Sequence, residues 1–82
     1  MTAIANLHGV DAEIIEFIVK PGSKVTKKRI RDLKFPKTAN ICGFVRNNIG
    51  FIPFGGFQLE EDDRAVVFSL TESIHKIEKF FQ

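Results

Sequence analysis

The sequence predicts a small α+β domain, a mostly antiparallel β-sheet with one short helix and one C-terminal helix in the order β-α-β-β-β-α. Three observations lead there. Apolar residues alternate with a period of two over residues 12–19, 40–46 and 64–70. Turn-forming Pro, Gly, Asn and Asp separate those runs, without the strand–helix–strand repeat of a parallel sheet. A single helical period, Ile74, Ile77 and Phe81, falls in residues 71–81.

Along the chain, Thr2 to Leu7 reads as the end of a helix closed near Gly9, so residues 1–10 are expected to be a remnant of a preceding helix or linker. Ala12 to Val19 is a strand. Ile15, Phe17 and Val19 share one face, and Ile14 and Ile18 share the other with Glu16. Both faces are partly apolar, which places the strand centrally or under a helix. Lys20-Pro21-Gly22-Ser23 is a turn, because Pro fixes one φ and Gly supplies a positive one.

Thr26 to Leu33 is expected to be a short helix with Thr26 as N-cap and Ile30 and Leu33 inward, ended by Pro36. Asn40 to Arg46 is a strand with Ile41, Gly43 and Val45 on one face and Cys42 and Phe44 on the other. Asn47-Asn48-Ile49-Gly50 is a hairpin turn, since Asn and Gly tolerate left-handed φ. Phe51 to Pro53 is a short strand. Pro53 lacks an N–H, which assigns it to a sheet edge or strand end.

Glu60 to Asp63 is an acidic turn, in which Asp63 pairs with a neighbouring N–H or with Arg64. The last strand, Arg64 to Leu70, turns Ala65, Val67 and Ser69 one way and Val66 and Phe68 the other. Thr71 to Phe81 is the closing helix, with Lys76 and Lys79 on its solvent face.

Eighty-two residues make one domain, with a core that supplies only a few kcal/mol. Such a domain often leans on a partner or a second copy. The apolar fraction of 44% indicates a packed globule. The one cysteine, Cys42, excludes an internal disulfide and a multi-cysteine zinc site, and suits a reducing compartment. No apolar run approaches the ~20 residues that span a bilayer, and the first ten residues lack signal-peptide character. The expected location is therefore cytoplasmic.

Charge is segregated. Residues 20–37 hold eight cations against the single Asp32, a net of +7, which leaves −5 for the rest of a chain of net +2. Such a segment is either a binding face for an anionic partner or a solvated surface.

Motifs for chemistry are sparse. His8 and His75 stand apart, with no Cys or carboxylate at ligand spacing. Glu60-Glu61-Asp62-Asp63 lacks the alternating ligands and bend glycine of a calcium loop. Gly55-Gly56 is followed by no Lys-Ser/Thr, and no dinucleotide fingerprint occurs. Ser23 and Cys42 sit in no nucleophile motif. The reading is a non-catalytic domain. Phe51, Phe54 and Phe57 flank a Pro-Gly-Gly stretch, and at least one of them is expected in an exposed apolar patch.

These segments, in this order, resemble the C-terminal subdomain of the regulator-of-potassium-conductance (RCK) family, the TrkA-C type of domain. The resemblance rests on Ala12 to Val19 running into Lys20-Pro21-Gly22-Ser23, then Arg31-Asp32-Leu33-Lys34-Phe35-Pro36-Lys37, then Ile41 to Asn47. It continues through Gly50-Phe51-Ile52-Pro53-Phe54-Gly55, Asp63 to Phe68, and Ile77 to Phe81. It assigns residues 11–82 to that domain. The family commonly has Gly-Asp before the last strand, where this chain has Asp62-Asp63, and Asp also tolerates left-handed φ. After Pro53 the family is often polar, where this chain has Phe54, Gly55, Gly56 and Phe57.

The resemblance implies a regulatory, effector-sensing and pairing domain of a peripheral cytoplasmic subunit, held at the inner face of the membrane by a potassium transporter. It implies an NAD site in a Rossmann subdomain that this chain lacks, and no cofactor here. The implied partners are a second copy (a homodimer), that Rossmann subdomain, a Trk-type membrane potassium transporter subunit, and a nucleotide or cyclic dinucleotide effector. No individual effector-binding residue is carried over. The expected dimer interface comprises Asn40, Cys42 and Phe44 of one strand with Ile52, Pro53 and Phe54 of the next. Two alternatives stand beside this. One is the same domain type in a cation antiporter or anion symporter. The other is a basic nucleic-acid-binding module, against which the strands lack aromatics interleaved with basic residues.

Overall fold

A computed structural model describes residues 1–82, apart from the side chain of Asn6. Five strands form one antiparallel sheet: β1 (Thr2–Asn6), β2 (Ala12–Ile18), β3 (Ala39–Arg46), β4 (Ile49–Phe51) and β5 (Arg64–Leu70). Their order across the sheet is β1-β2-β5-β3-β4. β2 lies between β1 and β5, the central place its two apolar faces predict. One helix, α1 (Ile74–Phe80), follows a 3-10 turn at Thr71–Ser73. Among the described residues, no helix is long and apolar enough to cross a membrane.

The core lies on one face of the sheet. Ile15, Phe17 and Val19 from the β2 segment meet Ile41 and Phe44 of β3 and Ala65 and Val67 of β5. Ile77 and Phe81 cover them, with Phe17 and Phe81 stacked at 4.6 Å. Val25, Leu33 and Leu59 close the sides from the connecting segments. The opposite sheet face carries no helix, and Ile18 there is exposed.

Several sequence expectations are corrected. Thr2 to Leu7 is not a helix end. Residues 2–6 form β1, which pairs Thr2 with Glu16 and Asn6 with Glu13, with a bulge between Ala3 and Ala5. Thr26 to Leu33 is not a helix either. Two 3-10 turns stand there instead, Lys24–Thr26, which ends where the helix was expected to begin, and Ile30–Asp32. The Ile30 and Arg31 N–H groups donate to the carbonyls of Phe57 and Gly55, at 2.8 and 3.1 Å. Those donors are taken by a distant loop, so they cannot close helical turns. Thr26 is no N-cap; its hydroxyl donates back to the Ser23 carbonyl.

The short strand is Ile49–Phe51 rather than Phe51 to Pro53. Asn47 and Asn48, both at positive φ (51° and 64°), make a two-residue turn, so pairing resumes at once with Arg46 opposite Ile49. The two faces of β3 are also reassigned. A bulge between Ile41 and Gly43 inserts Cys42, so Phe44 points inward with Ile41. Gly22 (φ 74°) and Asp62 (φ 70°) occupy the left-handed positions expected of their turns.

Candidate interaction site

The segment after β4 is built around aromatic packing. Phe44 is buried on β3, and the Phe51 ring stacks on it across the hairpin at 5.0 Å. Phe57 meets Phe44 edge-on at 5.6 Å. Phe54 stacks on Phe57 at 5.9 Å and forms the outermost layer. The Phe57 N–H donates to the Phe54 carbonyl at 3.0 Å and closes a turn through Gly55 and Gly56. A Cβ at Gly55 would lie 3.1 Å from Arg31 Cβ, so this position has little room for a side chain. The Gln58 amide fastens the far end by donating to the Thr26 carbonyl at 2.7 Å.

The outcome is a rigidly based apolar projection. Ile52 is 74% exposed and Phe54 70%. They follow β4, which pairs only with β3 and so leaves one strand edge open. Ile49, on β4 itself, is also exposed. The sequence expectation of an exposed aromatic between Phe51 and Phe57 falls on Phe54.

The six residues expected at an interface differ in exposure. Ile52, Pro53 and Phe54 follow directly on β4, with Ile52 and Phe54 exposed and Pro53 half-buried. Asn40 is exposed opposite Phe68 on the uncovered face, and Cys42 is exposed at the β3 bulge. Phe44 is corrected: at 1% exposure it is core beneath the patch, because the bulge turns it inward.

A second feature was missed by sequence reasoning. Arg46, at the end of β3, donates two hydrogen bonds to the buried Asp63 carboxylate, from Nε at 2.9 Å and Nη2 at 2.8 Å. The Glu60 N–H donates to the same carboxylate at 2.8 Å. Arg46 also reaches Glu60 at 3.2 Å and the Gln58 carbonyl at 3.2 Å. Of the two partners expected for Asp63, the neighbouring N–H is there, as Glu60, whereas Arg64 lies 3.8 Å from Glu16 instead. Burial opposes the charge on Asp63. The Arg46 hydrogen bonds, the Glu60 N–H and the Arg46 charge outweigh it, so the carboxyl titrates below its ordinary value. Arg46 is correspondingly raised, chiefly by its hydrogen bonds to Asp63. The clamp ties the acidic turn to the hairpin that carries Phe54. Among the described residues, no group of three His, Cys, Asp or Glu could hold a metal ion.

An antiparallel five-stranded sheet backed on one face by a C-terminal helix is the fold of an RCK domain. A solved chain described as "Structure of RCK domain with cda" superposes with a TM-score of 0.70 at 21% identity, covering 84% of this chain and 97% of that one. The chain belongs to the TrkA-C domain family, whose model matches residues 14–82. It is 36% identical over 80 residues to Trk system potassium uptake protein TrkA homolog 2 of Methanosarcina mazei, covering 98% of this chain. It is 37% identical over 79 residues to homolog 1 of the same organism, covering 96% of this chain. The Trk system potassium uptake protein TrkA homolog of Archaeoglobus fulgidus is 36% identical over 79 residues. The chain spans 18% of the length of each Methanosarcina relative and 17% of the Archaeoglobus one.

Proposed function

We propose that this chain is a regulatory domain of a peripheral cytoplasmic subunit controlling potassium uptake by a Trk-type membrane transporter, and that it pairs with a second copy and senses an effector. The observation that carries this reading is the likeness to three TrkA homologs over 96–98% of the chain. Those relatives favour a Trk host over a cation antiporter or anion symporter. The open β4 edge, with Ile52 and Phe54 beside it, supports pairing. The effector is a nucleotide or cyclic dinucleotide. It acts by binding two arrangements of the paired domains with different affinity. NAD binds elsewhere, in a Rossmann subdomain, since this chain has no glycine fingerprint.

A thermal-shift screen of nucleotides and cyclic dinucleotides, run with sedimentation equilibrium, tests this. A ligand at about 100 times its Kd adds about 2.7 kcal/mol, which raises Tm by about 10 °C or more. Sedimentation should report a dimer. A flat ligand screen together with a monomer at high micromolar concentration would reject the reading, and a micromolar Kd for NADH would reject the assignment of NAD to another subdomain.

A further inference from the structure

Residues 20–37 hold eight of the twelve cations of the chain, and all eight side chains are exposed. Six of them, Lys24, Lys27, Lys28, Arg29, Arg31 and Lys34, line two adjoining hollows that share Lys27 and Lys28. One carboxylate lies among them: Asp32, 4.0 Å from Arg31. Among the described residues, no other ion pair involves these six. The backbone beneath is held by the bonds from Ile30 and Arg31 to the Phe57 and Gly55 carbonyls. The cations are therefore displayed from a fixed surface. One hollow has Leu33 and Phe80 in its lining, with the Lys24 ammonium 5.6 Å from the Phe80 ring.

The chemistry of this face selects its partner. Like charges gathered with one counter-charge among six repel each other, and an anion relieves that repulsion. Four of the six are lysines, compact hydrated charges suited to a diffuse field rather than to paired recognition of one carboxylate. Lysine is also depleted from protein–protein interfaces. The larger hollow is lined entirely by exposed side chains, which suits a broad anionic surface better than an enclosed small molecule. A nucleic-acid platform would need free aromatic faces among the cations. Phe35 and Phe80 are instead half-buried and packed edge-on against each other at 4.9 Å.

We infer that this face docks on the anionic headgroups of a lipid bilayer, with the lysines along the surface and the Leu33 and Phe80 hollow toward the acyl boundary. Neither an effector nor a second copy is needed for this contact. Co-sedimentation with vesicles tests it. One set is phosphatidylcholine alone, the other phosphatidylcholine mixed with phosphatidylglycerol. The chain should bind the anionic set only, and less as salt rises, because exposed charges are screened. Each basic residue near such a surface is worth about five-fold in affinity, so Lys27→Gln, Lys28→Gln and Arg29→Gln together should weaken binding about 100-fold. Circular dichroism and Tm should stay as in the parent. If that variant melts early, the pair Lys24→Gln and Lys34→Gln gives an independent readout, with a loss of about 25-fold. Equal binding to neutral vesicles, no binding to anionic ones, or full retention by the variants would overturn the inference. Tighter binding to a short DNA duplex than to vesicles at physiological salt would also overturn it, and would hand the face to nucleic acid.

Discussion

On one side of β3 lies β5, seven residues long, paired on both edges and carrying Ala65, Val67 and Ser69 fully buried. On the other lies β4, three residues long, paired on one edge and followed by Ile52 and Phe54 largely in solvent. The same strand thus joins a closed side to an open one. Fully burying one large apolar side chain contributes roughly 1.5–3 kcal/mol. At Phe54 most of that gain is unrealised in the single chain and is available only on association. The buried residues of this comparison lie on the β5 side, and the exposed apolar ones on the β4 side. The aromatic stack Phe44–Phe57–Phe54 runs from one to the other, from fully buried to mostly exposed.

The largest expected effect lies at the inner end of that stack. Phe44→Ala removes a buried ring that touches Phe51 and Phe57, and such deletions cost about 3–5 kcal/mol. A domain of this length has roughly 4–12 kcal/mol in total. Urea unfolding should therefore show a greatly lowered midpoint, or no folded baseline. An unchanged midpoint would mean that the closed side does not depend on this ring.

Next comes the clamp joining the two sides. Arg46→Met leaves the Asp63 carboxylate buried without its partner, at a cost of about 3 kcal/mol near neutral pH. The folded Asp63 carboxyl titrates below its ordinary value of 3.8, so its stabilisation is present above that value. It is lost as pH falls through the lower folded value. The gap between parent and variant should therefore narrow in acid, as Asp63 takes up its proton in both. Urea midpoints measured from neutral pH down through the carboxylate range check this. A gap of constant size would assign the loss to packing instead of charge.

What the sequence allowed a reader to see divides along the same line. β2 and β5 were legible because their pairing is regular and one face is buried, so period two survives intact. The hairpin turn was legible because Asn47-Asn48 suits left-handed φ at both positions. β1 was not legible: Ala3 and Ala5 carry no strand preference of their own, and the strand exists through its pairing with β2. The Ile30–Asp32 turn was misread because its donors go to Gly55 and Phe57, more than twenty residues away. The inward turn of Phe44 had a visible signal in Gly43, since an isolated glycine inside a strand often marks a bulge. A Cβ there would meet the Phe51 carbonyl at 3.3 Å. The pairing of Arg46 with Asp63 had no local signal, since seventeen positions separate them. Of the residues expected at an interface, Ile52 and Phe54 are exposed, whereas the placing of Phe44 depended on strand phase and Phe44 is buried.

The smallest effect on folding, and the sharpest on assembly, is expected at the outer end of the stack. Phe54 is mostly solvated, so Phe54→Asp should cost the single chain at most about 1 kcal/mol, chiefly the stacking on Phe57. A two-fold contact uses the same patch on both copies, so the one substitution acts twice. If pairing runs through the β4 edge, it places two unpaired carboxylates in a buried apolar contact, a costly arrangement. Sedimentation equilibrium should then move to monomer while circular dichroism stays unchanged. Cys42→Asp supplies the contrast, because Cys42 is exposed on β3, at the bulge in its pairing with β5, and is not part of the apolar segment that follows β4. With the interface at β4, it should leave association within about 0.5 kcal/mol of the parent. The reverse result, with Cys42→Asp dissociating the pair and Phe54→Asp harmless, would move the interface to β3 and leave the exposed end of the aromatic stack without a partner.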